Sequence, residues 1–147
     1  MSLIKVGKVI ELYYSTNEGR LNIDELALDE NGVIEDKYYN KDIDRSVLIT
    51  SKQSYELASQ NGVKIPYGVL GENILIDYNP YHLNPGTRVT IGNLVLEMSQ
   101  NCTLCKSFAK LDERLPELLK NDRGIFAKVI SSGTICKGDN IYLLNKK

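Results

Sequence analysis

A single histidine, His82, is all the imidazole that this chain of 147 residues contains. Zinc motifs of the H-E-x-x-H or two-Cys, two-His kind need a pair of histidines and cannot be built. A Ser-His-Asp or Cys-His arrangement could use only His82, which lies in "DYNPYHLNPG", an Asn- and Pro-rich loop suited to a surface or capping role. A basic excess is missing as well. Lys and Arg total 18 against 19 Asp and Glu, leaving a formal net charge of −1. The cations are scattered, with no basic run and no aromatic platform between them, so a nucleic-acid backbone finds no field to hold it.

Long apolar runs are absent too. No stretch reaches the roughly 18 residues of a membrane span. The opening "MSLIKVGKVIELYY" carries charges within its first apolar segment and has no small-residue cleavage site, so it does not read as a signal peptide. There are three cysteines, an odd number. Without a secretion signal they imply free thiols in a reducing compartment, the cytoplasm.

What is present is a composition of 42% hydrophobic and 25% charged residues, arranged as short strand signals separated by turns. "VGKVIELYY" (6–14) has the Val, Ile and Tyr character of a first strand. "LALDENGVIED" places Asn31-Gly32 between apolar positions, a hairpin signal, and "RSVLIT" (45–50) is a short buried run. The period then changes. Thr50 or Ser51 can cap a helix whose apolar face is Tyr55, Leu57 and Ala58, with Gly62 as its stop. "ENILI" follows, and then "TRVTIGNLVLEM", where Val89 and Ile91 alternate with polar residues, as do Leu94, Leu96 and Met98 on the return from Gly92-Asn93.

After the cysteines, Phe108, Leu111, Leu115, Leu118 and Leu119 recur at helical spacing, with Pro116 starting a second short helix and Gly124 ending it. "IFAKVISSG" and "NIYLL" close the chain as strands around "TICKGD". Seven or more strands, two or three short helices and no βαβ rhythm predict a mainly β fold: an antiparallel β-barrel, closed or partly open. No linker, repeat or charge block divides it, so residues 1–147 are expected to form one domain.

Two kinds of residue could carry chemistry. Arg45 in "DRSVLI" and Arg123 in "DRGIFAKV" offer guanidinium forks for phosphate or carboxylate, though each has an aspartate neighbour that would serve a structural ion pair. "GVLGEN" (68–73) lacks the spacing of a P-loop or a dinucleotide fingerprint. Its glycines suit positive φ, and Glu72 and Asn73 suit bonds to local backbone. The second kind is the cysteine pair of "NCTLCKSF". Cys102 and Cys105 have the spacing of a zinc half-site or a redox dithiol. Equally, Cys105 could be a single thiolate, favoured by Lys106 and by the N-terminus of the helix expected to follow, and able to ligate a soft metal or carry sulfur as a persulfide. A cysteine acting as a small buried hydrophobe is the fourth possibility.

Taken in order, "RSVLITS", "GVLGENI", "LNPGTRVTIGNLVLEMSQNCTLC" and "RGIFAKVISSGTICKGDNI" resemble the MOSC domain, the module named for the C-terminal part of molybdenum cofactor sulfurases. The similarity runs from about Arg45 to Ile141, and "EDKYYN" corresponds to the family's upstream Gly-Asp-x-His region, with Tyr38 or Tyr39 where the family has His. The resemblance implies a β-barrel that binds a molybdenum–pterin cofactor (molybdopterin) or handles sulfur on a cysteine. It places that cysteine, catalytic and metal-ligating, at Cys105 with Cys102 as its neighbour, and assigns Glu72, Asn73, Arg45 and Arg123 to the cofactor. These residues should then converge in space.

Three functions follow from this. The first is a stand-alone MOSC protein that binds the cofactor or carries sulfur, served by a sulfur donor. The second is a reductase of N-hydroxylated compounds supplied by a separate electron-transfer protein. The third is a zinc-binding or oligomeric interaction module with structural cysteines.

Overall fold

The computed structural model describes residues 2–102 and 110–145. A long strand, β1 (Ser2–Thr16), turns into β2 (Gly19–Ile23), and the small strands β3 (Glu25–Asp29) and β4 (Gly32–Val33) follow. A 3-10 turn (Ile43–Arg45) leads into β5 (Val47–Ser51), helix α1 (Lys52–Gln60) and β6 (Ile74–Ile76). Next come β7 (Arg88–Ile91), β8 (Leu94–Asn101), the short α2 (Leu115–Leu118), β9 (Ile125–Ser131), β10 (Gly133–Cys136) and β11 (Asn140–Asn145).

The strands run in the order β11-β7-β8-β9-β5-β6-β1, and β1 pairs back onto β11 to close a seven-strand barrel. β2 extends β1 beyond the ring, while β10, β3 and β4 form a separate three-stranded sheet. The mainly β fold read from the sequence is the fold observed.

Local chemistry accounts for the elements. β8 buries Leu94, Leu96 and Met98 on alternate positions, so one face of the strand lines the core. Gly92, at φ +60°, turns β7 into β8, and Ile91 pairs with Leu94 directly across that turn. Ser51 caps α1 by accepting from the Gln53 amide, and Tyr55 and Ala58 bury the inner side of the helix.

In one respect the connectivity differs from the expectation. β5 and β6 are parallel, joined through α1, so one βαβ unit exists within the otherwise antiparallel ring. β5 is buried at all five positions and β6 at all three, the continuous apolar pattern of a strand covered on both faces. One cluster, with Leu12, Ile74, Leu94, Leu96 and Met98, fills the barrel. A second cluster holds α1 and α2 against the wall through Tyr55, Ala58, Leu75, Leu115 and Leu119.

Candidate functional site

Between β5 and β6 the chain makes a corner at residues 68–73, where buried polar groups cross-link several elements. Gly68 and Gly71 take φ of +92° and +88°. A Cβ on Gly68 would stand 2.7 Å from the Tyr13 ring, so only glycine fits there. The Tyr55 hydroxyl accepts from the amides of Gly68 (3.0 Å) and Leu70 (3.4 Å), and donates to Glu72 Oε2. Thr50 Oγ1 donates to the same Oε2 at 2.6 Å. Glu72 is wholly buried, and Arg20 Nη2 stands 4.0 Å from its Oε1. Burial, with the Glu72 carboxylate next in importance, pushes the Tyr55 hydroxyl far above the usual tyrosine range.

Asn73 joins two strands. Its Oδ1 accepts from the Leu48 amide at 3.0 Å and its Nδ2 donates to the Tyr13 carbonyl at 3.2 Å. Its own backbone bonds the same two residues, N–H to Leu48 O at 2.8 Å and C=O from Tyr13 N–H at 2.9 Å. Both ends of the side-chain amide are thus bonded to main chain, which makes Asn73 a spacer between β1 and β5.

Beside this corner lies a cleft of about 690 Å³. Its walls come from the β1–β2 turn, the 36–46 segment, the 70–73 corner and the end of β8. Leu48, Leu70 and Phe126 are its apolar lining, and Arg20, Lys37, Lys41 and Arg45 supply four cations against the carboxylates of Asp36 and Asp42. Asp36 is buried and occupied, its oxygens accepting from the amides of Ser15 (2.7 Å) and Tyr38 (3.0 Å). Arg45 lies with its guanidinium carbon 5.5 Å from the centre of the Phe126 ring, and Gln100 Oε1 accepts from its Nε and Nη2 at 2.9 and 3.1 Å. Its ion pair with Asp42, 3.9 Å, is exposed on both sides and adds little. In the loop carrying Tyr38 and Lys41, Asn40 takes φ +60°, the left-handed region that Asn tolerates best after Gly.

Cys102 stands in the cleft wall, half-buried, its amide donating to the Gly124 carbonyl at 2.9 Å. The sequence of the cleft corner and the strands around it also matches a known family. A sequence model of the MOSC domain matches residues 36–142, most of the chain. The chain belongs to the MOSC domain family.

The fold of this MOSC chain is shared with solved structures at low identity. The YuaD protein from Bacillus subtilis is 18% identical, with 99% of this chain and 100% of that one covered at a TM-score of 0.80. YiiM from Escherichia coli is 19% identical, covering 95% and 71% at 0.70. YiiM from Geobacillus stearothermophilus is 15% identical, covering 98% and 76% at 0.67. No curated protein matches.

In this MOSC barrel the expected site residues are only partly gathered. Arg45 and Asn73 line the cleft. Glu72 is buried behind its wall, and Arg123, 2% exposed, precedes Gly124 without lining the cleft. Cys105, Lys106 and Phe108 lie outside the described residues. Of the two tyrosines at the family's histidine position, Tyr38 lines the cleft, while the Tyr39 hydroxyl donates to Asp29 Oδ2 at 2.6 Å. His82 meets Tyr78 (hydroxyl to Nε2, 3.3 Å) and is not part of the cleft.

Arg20, Lys37 and Lys41 had no signal in the sequence, since each is an isolated cation in a polar segment and only the fold aligns them. Among the described residues, which do not include Cys105, no group of three or more His, Cys, Asp or Glu could hold a metal ion. Nor is any described helix long and apolar enough to cross a membrane.

Proposed function

We propose that this MOSC chain works as one unit that takes a phosphate-bearing molybdenum–pterin cofactor, or a sulfur atom bound for such a centre, into the cleft beside the 68–73 corner. The observation that carries the reading is the meeting of a cysteine with four cationic side chains in one cleft. Such a cleft suits an anionic ligand with a flat organic body. The cations provide charge-assisted hydrogen bonds for phosphate, while Leu48, Leu70 and Phe126 offer apolar surface to a ring.

Arg45 would hold the anionic end. Asn73 and Glu72 would set the wall by fixing backbone, and Arg123 would brace the approach to β9 from its buried position. The cofactor, when bound, supplies a metal centre with affinity for soft sulfur ligands. The chain supplies the thiolate, which nearby positive charge favours over the thiol.

We assign the working sulfur to Cys105, the cysteine at which the motif order of the sequence resembles the family's. A second reading assigns it to Cys102, favoured by that residue's place in the cleft wall. In either case a sulfur donor or an electron-transfer protein would be the partner, and we place both partners in the cytoplasm. Reduction of N-hydroxylated compounds would need the latter.

Molybdenum analysis and pterin fluorescence of freshly purified wild-type, Cys102→Ser and Cys105→Ser proteins test the reading. Loss of loading in Cys105→Ser alone supports the first assignment, and loss in Cys102→Ser alone supports the second. Wild-type protein carrying neither molybdenum, pterin nor a persulfide, even after exposure to free cofactor and to a polysulfide, which gives up a sulfane sulfur to a thiolate and leaves as the shorter polysulfide, would defeat both.

A further inference from the structure

The match to the family begins at residue 36, yet part of the cleft wall is built by Ser15, Thr16, Gly19 and Arg20 from the β1–β2 hairpin. Within that hairpin Arg20 stands apart from the other cleft cations in how it is held. Its Nη1 donates to Ser15 Oγ at 2.9 Å and its Nη2 donates to the Glu72 carbonyl. Glu72 Oε1 is 4.0 Å from Nη2, and the guanidinium carbon lies 5.2 Å from the centre of the Tyr13 ring. The side chain is 30% exposed, against 53% for Arg45. As whole residues Arg20, Lys37 and Lys41 are all exposed, but the Arg20 guanidinium is tied down by these bonds, whereas Lys37 rests its ammonium 5.1 Å from the Tyr38 ring centre.

A guanidinium has five N–H groups in a rigid fork. Two of Arg20's are engaged among the described residues, which leaves three for a ligand. A carboxylate buried behind it and a tyrosine face beside it fix the plane of the fork. Arginine ordered in this way loses little freedom when it binds an anion, whereas an exposed lysine must be ordered at that moment.

We propose that Arg20 is the pre-ordered anion-holding residue of the cleft, that its ligand group is a phosphoryl group, and that the hairpin outside the family match thereby sets which ligands this chain accepts. A phosphoryl group is favoured over a carboxylate because the cleft cations outnumber its carboxylates four to two, and because three acceptor oxygens can reach Arg20 and a second cation together. This rests on the reading that the cleft takes an anionic ligand.

Pyrophosphate is the probe. The intact chain is titrated and followed by phosphorus NMR and by amide shifts of Gly19 and Gly71. Binding should be saturable in the wild type and about 10-fold weaker in Arg20→Gln, the order of one lost charge-assisted contact. Arg20→Lys should recover part of it, since lysine keeps the charge without the fork. Lys120→Gln, in an exposed pair with Glu117 outside the cleft, should bind as the wild type does. The decline of affinity with added salt should be shallower in Arg20→Gln.

Thermal melts establish that each variant is folded. Should Arg20→Gln fail to fold, Arg20→Lys decides alone, with weakening of several-fold expected. Wild-type affinity in either Arg20 variant overturns the proposal and leaves the anion to Lys37, Lys41 and Arg45. So does a wild-type protein with no saturable binding, or one whose shifts fall away from Gly19 and Gly71. Molybdenum and pterin content, measured separately, then reports whether the cofactor reading stands without Arg20.

Discussion

Inside the ring of strands, Leu12, Ile74, Leu94, Leu96 and Met98 belong to one buried hydrophobic cluster, whereas the corner beside the ring carries buried polar groups, Glu72 and Asn73 among them. Among the described residues, all the buried polar and charged side chains are Ser15, Asp36, Thr50, Ser51, Ser54, Glu72, Asn73 and Arg123. They belong to the far end of β1, the loop after β4, the β5–α1 junction, the 71–73 corner and the approach to β9. Burying a polar group costs free energy unless a partner meets it, so such groups persist where position matters more than adhesion. The barrel holds the fold, and the corner holds a shape.

That division can be broken from either side. Leu96→Ala, in the middle of the barrel, should cost about 3 kcal/mol in urea denaturation through the cavity it leaves. Pyrophosphate binding by the folded fraction should not change, and a matching loss of binding would show the two regions to be one. Asn73→Ala should cost about 2 kcal/mol, because it strands the Leu48 amide and the Tyr13 carbonyl. It should also weaken binding by letting β1 and β5 shift. Asn73→Asp should be no better, since it keeps an acceptor for Leu48 and sets an oxygen against the Tyr13 carbonyl.

The corner should further announce itself in alkali. Burial, followed by the charges of Glu72 and Glu11, raises the Tyr13 hydroxyl to about 12, and burial drives Tyr55 and Tyr81 upward as well. These groups are neutral in the fold. Their contribution is complete below the unfolded tyrosine value near 10 and is lost as pH rises from there through about 12. Absorbance at 295 nm should therefore show a late tyrosine class whose ionisation coincides with unfolding by circular dichroism. Late tyrosines that ionise in a folded protein would contradict the coupling.

The smallest effect contrasts two thiols. Cys136 on β10 is raised by burial and then by Asp139, Glu25 and Asp24, whereas Cys102 shares its cleft with cations. Alkylation near neutral pH should be several-fold slower at Cys136 than at Cys102. Asp24→Asn should narrow the gap slightly, and equal rates in the wild type would remove the electrostatic contrast.

Much of this division was legible beforehand, for reasons that differ by element. The β7–β8 hairpin declares itself through strict alternation and Gly92-Asn93, and α1 through its serine cap and Gly62. β2 and β10 do not, since "GRLNI" is mostly exposed and "GTIC" is four residues long, so neither shows a periodic apolar face. The parallel β5–β6 pair was hidden because "ILI" is too short for a run of three buried residues to reveal its direction. In the site, Arg45 and the Gly-Glu-Asn corner could be read from motif order. The bonds that commit Asn73 to backbone could not, and neither could Arg20, whose value depends on Glu72, 52 residues away.

The long first strand also has a bearing on how the protein is made. Its beginning, from Ser2 to Lys8, finds its strand partner in Asn140–Asn145, so the ring cannot shut until those residues have left the ribosome. Until then Leu3 and Ile4, still more than 45% exposed in the finished fold, are carried on an open strand edge with no neighbour. For this protein the hazardous interval is the wait between synthesising the first strand and the last, and the opening residues are where a chaperone, or another copy's unfinished edge, would first find purchase.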